Sequence, residues 1–464
     1  MTQTLQTKPP KQRAGVLERT ADFFTQMMAR WLPDPLVIAV LLTILVMALA
    51  MGFQGTGPLE AIDYWGNGFW DLLAFSMQMT VVLLTGYILA RTPIVDAILD
   101  RLTGSITSPR FAIITLTVVA LAASWLNWGF GLVMGGIVAK KMGMNVKGLH
   151  YPLAIASGYS GFLVYGSGVS GTIPLTIATE GHFMQEQMGL IPTSETIFSP
   201  IVLVTTAVIF VVLPLFNAVL HPKDPAKVRE LDQSTIIAEA QPELASNFDA
   251  DGRRNFAATL NNSPWVGIVI GVLALVFCFR HFFINDGQVD LNSINFMFLF
   301  LGLLLFARPA RFLSAVGDGI KIVSGIIIQY PFYAGIMGIL VGSGLVVSFA
   351  NWFGSFSTAE SLPFFSFLSA GIINLFAPSG GGQWAVQGPV MIEAAQTLGA
   401  SESATALATA FGDQWTNMLQ PFWILPVLAI SGLKLRDVMG YLVLVLVLSG
   451  VIFGGSALIW GYLL

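Results

Sequence analysis

The sequence predicts an all-α polytopic membrane protein with an inverted repeat, two re-entrant hairpins and broken transmembrane helices. Three observations predict this fold: the composition, the interruption of long apolar runs by glycine and proline, and a weak internal repeat. Of 464 residues, 55% are hydrophobic and only 10% are charged, and the mean hydropathy is +0.74. These charges are too few to cover a soluble globule of this size, so the chain belongs in a bilayer.

Apolar runs long enough to cross or enter a bilayer recur along the whole chain. They span residues 35–53, 72–90, 110–142, 151–180, 199–220, 264–284, 291–307, 320–348, 363–398, 403–432 and 437–463. Runs 110–142, 151–180, 363–398 and 403–432 contain glycine, proline or polar clusters in their interior. Because such residues weaken helices, these runs predict hairpins and unwound helices rather than plain spans.

The distribution of basic residues predicts the orientation, because short cytoplasmic loops collect Lys and Arg. Basic residues precede the first run at Lys8, Lys11, Arg13, Arg19 and Arg30, whereas loop 54–71 has none. We therefore expect a cytoplasmic N-terminus, with an amphipathic helix over Val16–Trp31, and a C-terminus outside. Ala48-Leu49-Ala50 resembles a signal-peptidase site, but the polar region before its apolar run is too long for a signal peptide.

An internal repeat emerges at a shift of 251 residues. Gly66-Asn67-Gly68 falls on Gly317-Asp318-Gly319, Gln78 on Gln329, and Asn127–Gly131 on Pro378–Gly382. The charge bias gives the two copies opposite orientations, which is typical of secondary transporters. The predicted division is 1–34, a cytoplasmic N-terminal segment with the amphipathic helix; 35–220, the first repeat; 221–263, a cytoplasmic linker; 264–284, a connecting helix; and 285–464, the inverted second repeat.

Four polar clusters interrupt the apolar runs and are the candidate site. Two are predicted hairpin tips, Asn127–Gly131 and Ser379–Gln383, and two are predicted helix breaks, Tyr165–Thr172 and Gly412–Asn417. Broken helices expose N–H groups that favour anions and carbonyls that favour cations. The candidate substrate ligands are Asn127, Trp128, Gly129, Ser167, Ser170, Thr172, Ser379, Gly380, Gly381, Gly382, Gln383, Gln414 and Asn417. The alternative is that these small residues serve only close helix packing.

Asp413 is the outstanding charge within an apolar run, and it lies beside Gln414 and Asn417. An ionisable group at membrane depth is costly unless it is functional or paired, so Asp413 is the candidate coupling-ion or proton group. A structural carboxylate is the alternative. The four clusters contain no Lys or Arg, so an anionic solute needs a co-transported cation, either a proton or sodium. Symport is therefore expected.

Several other functional classes are excluded. The single cysteine, Cys278, rules out an intramolecular disulfide and a multi-cysteine metal site. The four histidines, His150, His182, His221 and His281, lie at run ends or in loops without metal-site spacing, and we expect them to be solvated. Scattered basic residues do not favour nucleic acid. No nucleophile and base pair is evident at membrane depth, so we expect neither an enzyme nor a cofactor.

Several motifs together resemble the short-chain fatty acid transporter family of bacteria (AtoE type), within the ion transporter superfamily. They are Trp31–Pro35, Gly68–Trp70, Asn127–Gly131, Pro378–Gly382, Gln387–Pro389, Gln414–Trp415 and Gln420–Trp423. The resemblance implies uptake of short-chain carboxylates such as butyrate or acetoacetate by cation symport in the inner membrane, and a homodimer. Hairpin tips of the wider superfamily commonly carry Ser-Asn-Thr, which is absent from both tips here, so no sodium site is transferred.

Two other functions remain open at this stage. A dicarboxylate or other organic-anion symporter would use the same kind of site, although the scarcity of basic residues favours a singly charged solute. An ion or solute channel would need a continuous polar pore, whereas polarity here is confined to the four clusters.

Overall fold

The structure is a computed structural model built almost entirely of α-helices. It describes residues 30, 33, 35–232, 248, 255–375 and 379–463. Most of the amphipathic helix predicted over Val16–Trp31, residues 233–247 and 249–254 of the linker, and Pro378 at the second hairpin tip lie outside the described residues.

The first half contains ten α-helices within the described residues. They are α1 (Pro35–Gln54), α2 (Pro58–Gly68), α3 (Leu73–Ala90), α4 (Pro93–Gly104), α5 (Pro109–Leu126), α6 (Trp128–Asn145), α7 (Tyr151–Ser160), α8 (Thr172–Ala178), α9 (Gln185–Met188) and α10 (Pro200–Val219). Proline opens several of these helices, where its missing N–H has no intrahelical partner to lose. A 3₁₀ helix, Gly161–Ser167, extends α7 towards α8.

The second half continues with α11 (Phe256–Asn261), α12 (Pro264–Phe283), α13 (Leu291–Phe306), α14 (Pro309–Gly342), α15 (Leu345–Gly354), α16 (Leu362–Asn374), α17 (Gly380–Leu398), α18 (Glu402–Thr416), α19 (Pro421–Ser431) and α20 (Leu435–Leu463). A 3₁₀ helix, Asn417–Leu419, separates α18 from α19. At the predicted shift of 251 residues, helices α3 to α8 fall on α14 to α19 in the same order. Helix α1 falls on α13, and α10 overlaps α20.

The two copies are inverted, as contacts between α3 and its counterpart α14 show. A Cβ atom on Gly319, early in α14, would meet Leu84 and Tyr87 near the end of α3. One on Gly335, late in α14, would meet Trp65 in α2. Counterpart helices therefore run antiparallel against each other, as an inverted repeat requires.

The copies differ in one element. In the first half, residues 69–72 form turns that separate α2 from α3. In the second half the equivalent stretch is α14, one continuous helix of 34 residues with Pro331 inside it. We call α2 with α3, and its counterpart α14, the two arms of the repeat. The first arm is interrupted by turns, and the second is one continuous helix.

Eight helical segments of the described chain, one of them the broken segment Tyr151–Ala178, are long and apolar enough to cross a membrane. These candidate spans are Leu36–Gln54, Leu73–Ala90, Pro109–Leu126, Tyr151–Ala178, Pro200–Val219, Pro264–Phe283, Pro309–Gly342 and Leu435–Leu463. Within their most apolar windows, 94% of residues are buried in Tyr151–Ala178 but only 22% in Pro264–Phe283. The first broken run therefore lies at the centre of the protein, and the connecting helix α12 faces outward towards lipid.

Two histidines tie the start of the linker to the membrane region. The His150 N–H donates to His221 Nε2 at 3.1 Å, and the Arg229 N–H donates to His150 Nδ1 at 3.0 Å. The Tyr151 N–H in turn donates to the Arg229 carbonyl at 2.8 Å. The expectation that the loop histidines are solvated is wrong for His150 and His221, which are buried because their rings accept backbone N–H groups.

This arrangement predicts a pH-dependent stability. Burial, with the charges of His221 and Arg229, lowers the pKa of His150 to about 4. The neutral ring is therefore the folded form, and its stabilisation is complete above about pH 6.5 and is lost as the pH falls towards about 4. We expect the melting temperature of the detergent-solubilised protein to fall over this window. The fall should be smaller in His150→Asn than in the control His281→Asn, because the asparagine amide oxygen can still accept the Arg229 N–H but does not titrate. Equal falls in the two variants would contradict the assignment of this pH dependence to His150.

Candidate functional site

The first hairpin consists of α5 and α6, which reverse direction at Asn127. The Asn127 Oδ1 accepts the Phe130 N–H at 2.9 Å, and its Nδ2 donates to the Val82 carbonyl at 3.3 Å. A side-chain oxygen at this position caps the new helix and allows an abrupt turn. A Cβ atom on Gly131 would lie 2.1 Å from Ser124 Oγ, so glycine is what lets the two helices approach here.

The second hairpin consists of α16 and α17, which follows Ser379. The Ser379 Oγ accepts the Gly382 N–H at 3.3 Å, which repeats the capping role of Asn127. Across the hairpin, Gln383 Nε2 donates to the Ala370 carbonyl at 2.9 Å. The tip therefore presents the N-terminus of a 19-residue helix that begins with three glycines.

The two broken helices cross at the centre of the molecule. The Tyr159 hydroxyl donates to the Asn417 carbonyl at 2.7 Å, and the Gly166 N–H donates to Gln414 Oε1 at 2.9 Å. Between these contacts the Tyr165 hydroxyl donates to Asp413 Oδ2. Each half thus supplies hydrogen-bonding groups to the break of the other half.

Each hairpin tip is bonded to the break of its own repeat. The Trp128 N–H donates to Ser170 Oγ at 2.9 Å in the first half. In the second half Asn374 Nδ2, at the end of α16, donates to the Asp413 carbonyl at 2.7 Å. The four polar clusters singled out in the sequence therefore meet in one region.

A small cavity, here called the central cavity, lies between the tips and the breaks. Its described lining comes from both halves and carries no charged residue: Trp128, Phe162, Tyr165, Thr172, Ile326, Tyr330, Ser379, Gly380, Gly381 and Trp423. Its volume is about 10 Å³, close to the minimum for one water molecule. The structure is therefore a closed conformation, and a solute can occupy this cavity only after the walls move apart.

One wall of the central cavity is aromatic. The ring centroids of Trp128 and Trp423 are 5.7 Å apart, and those of Phe162 and Trp423 are 5.8 Å apart. Phe162 also stacks on Tyr165 at 4.5 Å. This wall offers apolar contact area to a short alkyl group.

A second wall of the cavity is polar. The Ser379 Oγ donates to the Tyr330 hydroxyl at 3.1 Å, and Gly380 and Gly381 bring the first turn of α17 to the cavity. Helix N-termini favour negative charge because their N–H groups lack intrahelical partners. A cavity with one apolar wall and one anion-favouring wall suits a small amphipathic acid.

Several buried polar atoms at this site have no hydrogen-bond partner within the described residues, among them Gln414 Nε2 and Asn417 Nδ2. Two others matter most for binding: Asp413 Oδ1, on a side chain that is only 1% exposed, and Trp128 Nε1. A buried ionised carboxylate with an unpartnered oxygen is strongly unfavourable unless a proton or cation joins it. The indole N–H is a donor for an anionic or carbonyl oxygen.

The structure places the predicted site residues in three groups. Those lining the central cavity are Trp128, Thr172, Ser379, Gly380 and Gly381. Ser170 and Asp413 lie one contact behind it, and Gln414 is bonded to Gly166, which follows the lining residue Tyr165. The others hold the hairpins and breaks together: Asn127, Gly129, Ser167, Gly382, Gln383 and Asn417. A direct role in binding remains a prediction for every one of them.

Five lining residues are absent from the sequence-based prediction: Phe162, Tyr165, Ile326, Tyr330 and Trp423. All five lie in apolar runs, and for four of them nothing in the sequence distinguishes a cavity wall from ordinary core. Tyr165 is different, because it is the first residue of the predicted helix break Tyr165–Thr172, although it was not among the predicted substrate ligands. A phenol beside a helix break is a signal that could have identified it.

Comparison with solved structures agrees with this fold. The transporter YdaH of Alcanivorax borkumensis, described as having an unusual topology, superposes with a TM-score of 0.60 at 14% identity and covers 93% of this chain and 98% of its own. MtrF of Neisseria gonorrhoeae superposes with a TM-score of 0.58 at 13% identity and covers 97% and 98%. At these identities the likeness concerns the fold alone.

Comparison of sequences is more specific. Two curated relatives carry names that assign them to short-chain fatty acid transport. The one from Escherichia coli (strain K12) is 38% identical over 438 residues, 94% of this chain and 98% of the relative. The one from Haemophilus influenzae is 35% identical over 445 residues, with the same coverage. The family described as short chain fatty acid transporter matches residues 16–459, and the chain belongs to this family of membrane transporters.

Proposed function

We propose that the chain is a secondary symporter that takes up short-chain monocarboxylates, such as butyrate or acetoacetate, together with a proton or sodium ion. The observation that carries this proposal is the buried carboxylate of Asp413. It is hydrogen-bonded to Tyr165, which lines the central cavity, and its second oxygen has no partner among the described atoms.

The position of Asp413 supports coupling to a cation. A Cβ atom on Gly380, at the cavity wall, would lie 3.3 Å from Asp413 Oδ2. A substrate carboxylate in the cavity would therefore be close to a second carboxylate in a nearly dry site. Two like charges there repel strongly, whereas one added cation removes most of that repulsion. Binding of the acid and of the cation should thus be mutually dependent.

The lining supports a monocarboxylate over a dicarboxylate. The polar wall offers one helix N-terminus, and no charged residue of the described chain lines the cavity. A second carboxylate would have to lie against the aromatic wall of Trp128, Phe162 and Trp423, where one indole N–H, that of Trp128, cannot replace its lost hydration. A short alkyl or acyl tail is favoured there instead.

The direction of transport depends on the gradients rather than on the fold. MtrF, which shares the fold, is described as illuminating a class of antimetabolite efflux pumps, so export of an organic acid is the competing direction. We place this chain in the bacterial cytoplasmic membrane with its N-terminus inside, where an inward cation gradient drives uptake. A homodimer stays a prediction.

Proteoliposomes test the proposal. We expect uptake of labelled butyrate to depend steeply on either an imposed proton gradient or an imposed sodium gradient, because the acid cannot be bound stably without its cation. The measurement is the initial uptake rate with each gradient imposed singly, and with both collapsed by ionophores. Protein-free liposomes are the control for leakage of the protonated acid across lipid.

Two results would contradict the proposal. Uptake indifferent to both gradients would exclude symport, and single-channel currents in a planar bilayer would indicate a channel. Outward movement against an inward cation gradient would instead support export.

A further inference from the structure

A second and larger cavity, here called the vestibule, lies beside the central cavity. Its volume is about 180 Å³, and its lining includes Asp71, Phe75, Gln78, Thr179, Glu180 and His182. The vestibule is assembled where loops 54–71 and 181–198 join their helices and where α13 begins, since Leu291 also lines it. The charge bias of the sequence places all of these loops outside the membrane.

One aromatic side chain stands between the vestibule and the central cavity. Phe75 lines the vestibule, and its ring lies 5.3 Å from that of Phe183 and 5.6 Å from that of Tyr330. Tyr330 lines the central cavity. A Cβ atom on Gly381, which also lines the central cavity, would lie 2.9 Å from Phe75 Cζ. Phe75 is itself only 6% exposed, so its ring fills the space between the two cavities.

The two cavities differ in what they can hold in this conformation. A cavity of about 150 Å³ accommodates benzene, which has as many non-hydrogen atoms as butyrate. The vestibule at about 180 Å³ is large enough for such a molecule, whereas the central cavity at about 10 Å³ is not. The exposed carboxylates of Asp71 and Glu180 make the mouth of the vestibule negative. The mouth therefore attracts cations and repels a lone carboxylate, so that the acid enters together with a cation or in its protonated form.

We propose that the vestibule is an outer access site for a small monocarboxylic acid and its cation, and that the Phe75 ring is the partition that closes the central cavity towards it. This inference rests on the transport function proposed above. It adds a binding location and a specific barrier residue that the transport function does not itself require.

Cysteine accessibility tests the partition directly. Cys278 is the only cysteine, so Cys278→Ala provides a cysteine-free background. In that background, Ala74→Cys reports on the vestibule and Thr172→Cys on the central cavity. The probe is a membrane-impermeant cationic methanethiosulfonate added to oriented proteoliposomes from one side at a time.

We expect the outside reagent to modify Ala74→Cys rapidly and Thr172→Cys at least about tenfold more slowly, because the second reaction requires local opening. Adding Phe75→Ala should bring the rate at Thr172→Cys close to that at Ala74→Cys. The control is Phe298→Ala, which removes an equally buried ring that lines neither cavity. In this control the modification of Thr172→Cys should stay slow. Phe75→Leu removes the ring and part of its volume, and it serves if the alanine variant does not elute as a folded protein in size-exclusion chromatography.

Several outcomes overturn the inference. Slow modification at Thr172→Cys in a folded Phe75→Ala or Phe75→Leu variant would exclude Phe75 as the partition, and modification of Ala74→Cys only from inside would exclude an outer site. Saturating butyrate should slow modification of Ala74→Cys. If butyrate gives no such protection but still raises the melting temperature, the access site is excluded and the proposed function is not. If butyrate and other short acids neither bind nor are transported, the proposed function fails instead.

Discussion

Asp413→Asn is expected to lower gradient-driven uptake of butyrate by about a hundredfold, since loss of one partner of a buried charged pair typically costs 2–5 kcal/mol. The asparagine keeps the volume and can still accept the Tyr165 hydrogen bond, but it cannot take up a proton or neutralise a cation. The residual uptake should no longer respond to either gradient. The measurement is the initial uptake rate in proteoliposomes at matched protein content.

The control for this experiment is Asp318→Asn, which removes an exposed carboxylate whose Lys321 neighbour lies 4.0 Å away. Such surface pairs contribute little, so uptake and its gradient response should be unchanged. The folded yield of Asp413→Asn should equal or exceed that of the wild type, because a buried amide is desolvated more easily than a carboxylate. A gradient response of wild-type size in Asp413→Asn would remove this residue from the coupling mechanism.

Gly380→Ala is expected to reduce substrate affinity and uptake by about tenfold or more. The new methyl carbon would lie 2.6 Å from the Tyr165 hydroxyl and 3.3 Å from Asp413 Oδ2, so it would push the tip of the second hairpin away from this pair. Overpacking of this kind costs about 1–3 kcal/mol, and every 1.4 kcal/mol is a factor of ten. The measurement is the concentration dependence of uptake, with butyrate-induced thermal stabilisation as a second readout.

Gly317→Ala is the matched control, because Gly317 is also helical and a Cβ atom there has no heavy atom within 4 Å. Alanine should be neutral or mildly stabilising at that position, by up to about 1 kcal/mol. If Gly380→Ala transports with the wild-type KM and rate, the close approach of the hairpin tip to Asp413 has no part in binding.

The architecture was predictable from sequence because it depends on local sequence patterns that can be recognised without knowing the tertiary contacts. Long apolar runs predict membrane spans, and glycine or proline inside such a run predicts a break in the helix. The hairpin at Asn127 and the break after Ser167 lie where those signals placed them. The continuity of α14 across residues 309–342 was not predicted, because its charged and glycine-containing start resembles a loop.

The candidate site was predictable only in part, for a physical reason. Polar residues in an apolar run stand out, and this drew attention to Asp413 and Ser379. Whether a polar group faces a cavity or bonds to the backbone depends on its partner, and Asn127 and Gln383 turn out to satisfy hairpin backbone groups. Phe162 and Trp423 give no signal, since a cavity wall and a core have the same composition.

The unequal arms of the repeat have a mechanical consequence. If the two arms were identical, the same helix movement would open the protein towards either side of the membrane. Here the turns at residues 69–72 provide a pivot in one arm, next to Phe75 and the vestibule, while α14 provides none at the equivalent place. Local bending at a turn is therefore available on the side of the vestibule, whereas the equivalent stretch of α14 is helical and α14 is interrupted only by Pro331 further along.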